Sequence, residues 1–261
     1  MARIVRLTVA ALAAAVLLLG AGRPASGGEE PATAEEPDWS FDAEVAAQSR
    51  YVFRGAVLFD GPVLQPAVRL GWRGLTVGLW GSLELDDGAD NAGEFTEVDY
   101  TAEYGRDFGP ASLAAGVAHY RFPNTDCQPT TEVYLSAGLD WTVSPSLAVY
   151  RDVDQTEGVY VSLALGWTAE DLWEPLPGMR VSLDLRGSVG WGSRRGNLGL
   201  FGYAHDALAD ATLVAGAPLR LGERWTLTPS LSCSTLLDRG LRAQAEDDDN
   251  LWAGLTLSVS F

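Results

Sequence analysis

The sequence of 261 residues contains no lysine, so all 18 of its positive side chains are arginine, and against 35 acids they leave a formal net charge of -17. Nucleic acid is excluded as a partner, because phosphate binding draws on a surplus of positive charge. Histidine is confined to His119 and His205 and cysteine to Cys127 and Cys233. No two of these share the close spacing of a metal site. The Gly-x-Ser-x-Gly elbow is absent, and no Ser stands near either His in a lipase spacing. Catalytic, metal and cofactor residues are therefore not assigned, and the chain reads as a non-enzyme. Cys127 falls in a loop and Cys233 on an apolar strand face. They read as two unpaired thiols, with a disulfide in an exported protein as the alternative. Past residue 30 no apolar run approaches the ~20 residues of a membrane-spanning helix.

The one long apolar run, residues 7 to 19, follows Arg3 and Arg6 and leads to the small residues at 25 to 28. That layout is a secretory signal peptide, residues 1 to 27, cleaved after Gly27. A membrane anchor is the competing reading, but the run is too short, and no Cys follows it to carry a lipid. Residues 28 to 37, small, acidic and Pro-bearing, read as a mobile lead-in, and residues 38 to 261 as the folded domain. Without Arg3, Arg6 and Arg23 the exported chain is three charges more negative.

What the sequence has in quantity is alternation. Through residues 39 to 55, Trp39, Phe41, Ala43, Val45, Ala47, Ser49, Tyr51 and Phe53 take one side, and Ser40, Asp42, Glu44, Ala46, Gln48, Arg50, Val52 and Arg54 take the other. Only an extended strand separates the two sets, so the pattern predicts one strand across the whole stretch. The same period recurs along the chain and predicts twelve strands of roughly the 9 to 11 residues that cross a bilayer at a tilt. One strand is irregular: Leu113, Ala115 and Val117 mark one face while Tyr120 and Phe122 have the other parity, which predicts a bulge near His119. Residues 168 to 179 read as a connection, with a short amphipathic turn as one form of it, and the Gly- and Arg-rich residues up to His205 as a loop.

A soluble two-sheet sandwich also alternates. Three features favour an antiparallel up-and-down β-barrel in the outer membrane instead. Long and short connections alternate, as external loops and periplasmic turns do. Aromatics sort to strand ends, with Trp72, Tyr104, Trp167, Trp225 and Phe261 at the periplasmic side and Tyr51, Phe53 and Trp191 at the outer side. The apolar faces carry almost no charge, and an Arg at mid-bilayer costs about 2–4 kcal/mol.

Ser49-Arg-Tyr-Val-Phe-Arg-Gly55, followed by Pro62 and Gln65, resembles the opening signature of the TorF family of porins. The likeness continues through Val77-Gly-Leu-Trp-Gly-Ser82, Glu97-Val-Asp-Tyr100, His119-Tyr-Arg-Phe-Pro123 and Thr131-Glu-Val-Tyr134, and covers residues 45 to 170. It implies an outer-membrane barrel with a transport role and no catalytic residues. The last strand, ending in Phe261, is similar to the signal that the barrel assembly machinery reads.

The polar faces then line a lumen. Arg50, Arg54, Arg69 and Arg73 belong to the first two walls, and Trp80, Glu84, Asp86, Glu97, Asp99 and Glu103 to the next two. Glu132, Tyr134, Asp184 and Arg186 follow on later strands. Opposite charges on neighbouring walls predict ion-pair ladders, or a transverse field where water separates them. Twelve strands give a backbone radius of roughly 12 Å and a lumen of at most about 10 Å. The expected function is passage of small polar solutes or ions through the outer membrane, with outer-membrane lipid as the surrounding partner. A structural barrel without a pore is the alternative, and a lipid-modifying enzyme a third. Asp86, Asp87, Asp90 and Glu94 form an acidic loop whose calcium-binding reading is weaker than that of a solvated loop.

Overall fold

A computed structural model describes residues 39–86 and 91–261 of the chain. The proposed signal peptide, the lead-in, Asp87 and Asp90 lie outside the described residues. The wall begins with β1 (Trp39–Gln48), β4 (Val63–Trp72), β5 (Leu75–Glu84), β6 (Phe95–Phe108), β7 (Ala111–Arg121) and β8 (Thr130–Leu139). It continues with β9 (Ser144–Asp152), β10 (Val159–Trp173), β11 (Met179–Gly192), β12 (Ala207–Gly216), β14 (Trp225–Leu236) and β15 (Asp249–Ser260). Each pairs antiparallel with its neighbours, and β1 closes on β15, so the chain is an all-β, closed barrel of twelve strands. The short β13 (Leu219–Leu221) extends β12 between the same two neighbours, β11 and β14. Pro218 interrupts the two, because it has no N–H for the ladder.

Closure removes the edges of the wall, and alternation then sends each wall strand's two faces to opposite environments. On β4, Val68, Leu70 and Trp72 stand exposed on the outside, whereas Val63, Gln65 and Ala67 turn inward and are buried. Trp72, Tyr104, Trp167, Trp225 and Phe261 are likewise exposed on the outer surface, at the end that holds the short turns and the C-terminus. At the other end the connections are long. One carries α1 (Arg194–Phe201), started by Ser193, whose hydroxyl accepts from the Gly196 N–H, and ended by Gly202 in the left-handed region. Another carries the single turn α2 (Arg239–Arg242), which buries Leu241.

Four expectations are corrected. Residues 39 to 55 are not one strand: β1 ends at Gln48, and the chain leaves the wall to form a separate hairpin of β2 (Tyr51–Phe53) and β3 (Ala56–Phe59). Tyr51 and Phe53 therefore do not belong to an outer aromatic girdle. No bulge occurs at His119, since β7 keeps unbroken register with both β6 and β8. The aromatic Tyr120 points inward, where its hydroxyl donates to Glu132 at 2.9 Å, and His119 turns outward beside Thr131 and the Tyr100 ring. Residues 168 to 173 continue β10 rather than forming a connection, and residues 194 to 201 are helical.

Candidate functional site

The β2–β3 hairpin makes the site. Its two-residue turn is Arg54-Gly55, with φ of 48° and 81°, the doubly left-handed turn that suits a tight hairpin. Gly55 is needed twice, once for that φ and once for space. A Cβ there would lie 2.7 Å from Leu236 Cδ2 and 2.8 Å from Asp210 Cβ. Arg54 is not a glycine, so it holds its left-handed backbone at a cost of about 1–2 kcal/mol. Its side chain offsets that cost.

The Arg54 guanidinium donates twice to Glu132, Nη1 to Oε1 and Nη2 to Oε2, both at 3.0 Å. This is the parallel fork that makes guanidinium–carboxylate pairs strong. Around it stand three rings, with centroids 4.7 Å (Phe53), 4.9 Å (Tyr150) and 4.1 Å (Tyr160) from the guanidinium carbon. Tyr120 fixes Glu132 from behind, and Tyr160 donates to Asp210 at 2.8 Å. Glycines in neighbouring strands make room: a Cβ on Gly190 would collide with the Tyr160 hydroxyl and Asp210, and one on Gly116 with Tyr134.

The rest of the hairpin reaches other walls. Tyr51 donates to Glu97 on β6 at 3.1 Å and packs 5.7 Å from the Trp80 ring on β5. Arg50, at the base, bridges Asp60 at 2.5 Å, Asp247 at 3.1 Å and Asn250 at 2.7 Å. From its root on β1 the hairpin thus touches β5, β6, β8, β9, β10, β12, β14 and β15, and so crosses the full width of the lumen.

Burial follows from this. In the half of the barrel toward the long loops, Asp99, Tyr120, Thr130, Glu132 and Asp152 are at most 1% exposed. In the other half Glu44, Arg69, Glu103, Asp184 and Arg186 face inward and keep partial access to solvent. A cavity of about 10 Å³ beside Arg54, between β10 and α1, holds roughly one water. The lumen is a vestibule open toward the turn end and stopped at the loop end.

Of the residues read as lumen-lining, Arg54, Trp80, Glu84, Glu97, Asp99, Glu132 and Tyr134 gather in or beside the stopped half. Arg69, Glu103, Asp184 and Arg186 lie in the open half. Two are corrected. Arg73 sits exposed in the β4–β5 turn with its guanidinium 5.5 Å from the outward Trp72 ring, and Asp86 is exposed in the loop after β5. The charge ladder takes another form as well: Arg54 crosses the lumen to Glu132, and Arg69 pairs with Glu44 of the adjacent strand at 3.0 Å. Sequence reasoning missed the inward turn of Tyr51 and Phe53 and the roles of Tyr120, Tyr150 and Asp210. Arg54-Gly55 was the available signal, since a glycine after a polar residue is a hairpin-turn cue. Cys127 and Cys233 are not joined in a disulfide, and Cys233 is exposed on the outer surface of the barrel.

Among the described residues no three His, Cys, Asp or Glu are grouped to hold a metal. No curated protein matches the chain. Among solved structures, a KdgM porin in complex with disordered oligogalacturonate is similar at 11% identity, covering 85% of this chain and 98% of that one with a TM-score of 0.49. A NanC porin is similar at 12% identity, covering 85% and 98% with a TM-score of 0.48. The COG4313 outer membrane channel from Pseudomonas putida F1 is similar at 13% identity, covering 90% and 100% with a TM-score of 0.48. The profile of the family described as bacterial protein of unknown function (Gcw_chp) matches residues 32–169, more than half of the chain, and the chain belongs to that family.

Proposed function

We propose that the protein is an outer-membrane channel for small polar solutes or ions, of the TorF porin type, held closed by its own β2–β3 hairpin. One observation carries the reading: an apolar exterior encloses a lumen whose wall carries charged side chains in both halves, and the stopper in it is a separate hairpin tied by polar contacts. A barrel that served only as a scaffold has no need of a water-accessible vestibule ending at a jointed plug. The terminal Phe261, whose ring lies 6.0 Å from Phe41, fits a closing strand that the assembly machinery reads before the barrel is sealed in lipid. The leader of residues 1 to 27 supplies the export that this location requires.

The scaffold reading draws on a different observation, the near-complete burial of Arg54, Tyr120 and Glu132, which suits permanent filling. Planar-bilayer recording separates the two. The full chain should show rare discrete openings, and a variant with residues 51 to 59 replaced by an Asn-Gly turn should conduct continuously. A replaced variant that migrates as a folded barrel on an unheated detergent gel yet stays silent would refute the channel.

A further inference from the structure

The cage around Arg54 is built almost entirely by the wall. Glu132 comes from β8, Tyr150 from β9 and Tyr160 from β10, and only Phe53 travels with the hairpin. The wall residues are also held in place by one another: Tyr120 on β7 donates to Glu132 Oε2, Tyr160 donates to Asp210 on β12, and the Tyr134 ring packs tilted against Tyr150 with centroids 5.5 Å apart. The hairpin therefore does not create the site it fills. Its tip delivers one guanidinium into a socket whose carboxylate and ring faces match a planar, forked cation. Two parallel acceptors at 3.0 Å suit a fork and not a point charge, and ring faces favour a flat delocalised cation over a strongly hydrated ammonium.

We propose that this socket is a binding site for solutes bearing a guanidinium group, that Arg54 is its tethered resident, and that such solutes open the barrel by displacing it. The second half rests on the channel reading above; the first does not. Three features make displacement feasible. A short tether gives Arg54 a local concentration in the millimolar range, so free solute competes at comparable concentrations. Arg54 pays left-handed strain that a free ligand does not. The open half of the lumen, with Glu44 and Glu103 on its walls, offers a cation an approach from the turn end.

The test uses ethylguanidinium against propylammonium, equal in charge, on the full chain and on Arg54→Ala. In Arg54→Ala the vacated socket should bind ethylguanidinium with a millimolar Kd, at least about tenfold tighter than propylammonium, and raise the thermal midpoint accordingly. Adding Glu132→Gln should abolish the difference. In the full chain, ethylguanidinium at tens of millimolar should multiply open probability several-fold in bilayers while propylammonium leaves it unchanged. Should Arg54→Ala fail to fold, binding to the full chain and its suppression by Glu132→Gln decide the matter. Equal response to the two cations overturns the site. Selective binding by barrels that never conduct keeps the site and overturns the channel; conduction without selective binding does the reverse.

Discussion

Glu132→Gln gives the most direct measure of how the hairpin is held. The substitution keeps the side chain's size and its contact with Tyr120 but leaves the Arg54 guanidinium, buried with only 4% of its side chain exposed, without a counter-charge. Removing one partner of a buried pair costs about 3–5 kcal/mol, because the other charge stays desolvated. The stack on Tyr160 at 4.1 Å survives and is worth up to about 2 kcal/mol when desolvated, so the loss belongs near the lower end. At about 1.4 kcal/mol per factor of ten, the docked-to-undocked ratio of the hairpin falls by roughly two powers of ten. Open probability in planar bilayers should rise by the same factor, with fold checked by heat-dependent mobility on detergent gels. The double variant Arg54→Met, Glu132→Leu replaces the pair by apolar groups of similar volume, a change that is often neutral in proteins. It should therefore be tighter than Glu132→Gln alone. A double variant leakier than Glu132→Gln would show that the pair does not hold the plug.

Gly190→Ala forces a Cβ against the Tyr160 hydroxyl and Asp210, and should destabilise the barrel by about 1–3 kcal/mol through overpacking, read from urea unfolding in detergent. Arg69→Gln leaves Glu44 uncompensated in the open half of the lumen and should shift the reversal potential in a salt gradient toward cations; Arg50→Gln, at the hinge, should instead raise open probability. Burial raises the Cys127 thiol above its usual range, so its thiolate fraction at a given pH is lower than that of a free cysteine. Its alkylation should accelerate only at higher pH than that of a model thiol, while Cys233 should react with membrane-permeant reagents and resist charged ones. Deleting Phe261 should lower the yield in outer membranes while refolding into detergent proceeds; equal loss of both would assign the residue to stability alone.

Much of the barrel was legible in the chain because its rules are local. Period-two alternation needs only neighbouring residues, and a strand with one greasy and one polar face fits a closed wall between lipid and water. The exposed aromatics at the turn end, the inward Glu97, Asp99 and Glu132, and the count of strands all follow from parity. The candidate site was legible as a set of charged residues and not as an arrangement. Arg54 and Glu132 are 78 residues apart, and no local pattern links them.

Where parity misled, the lumen itself was the cause. In residues 49 to 54 the alternation of β1 runs on without a break, so Tyr51 and Phe53 look lipid-facing. An aromatic side chain gains as much by burial inside the barrel, Tyr51 against Trp80 and Phe53 against Leu58, as by facing hydrocarbon outside. His119 and Tyr120 show the same ambiguity, since the inward place of Tyr120 is set by Glu132 on the next strand. The sequence by itself determined the twelve-strand wall and the polarity of its two faces. Only the tertiary structure decided that one hairpin abandons that wall, because its anchors, a carboxylate and rings from separate strands, come together only after the barrel has closed.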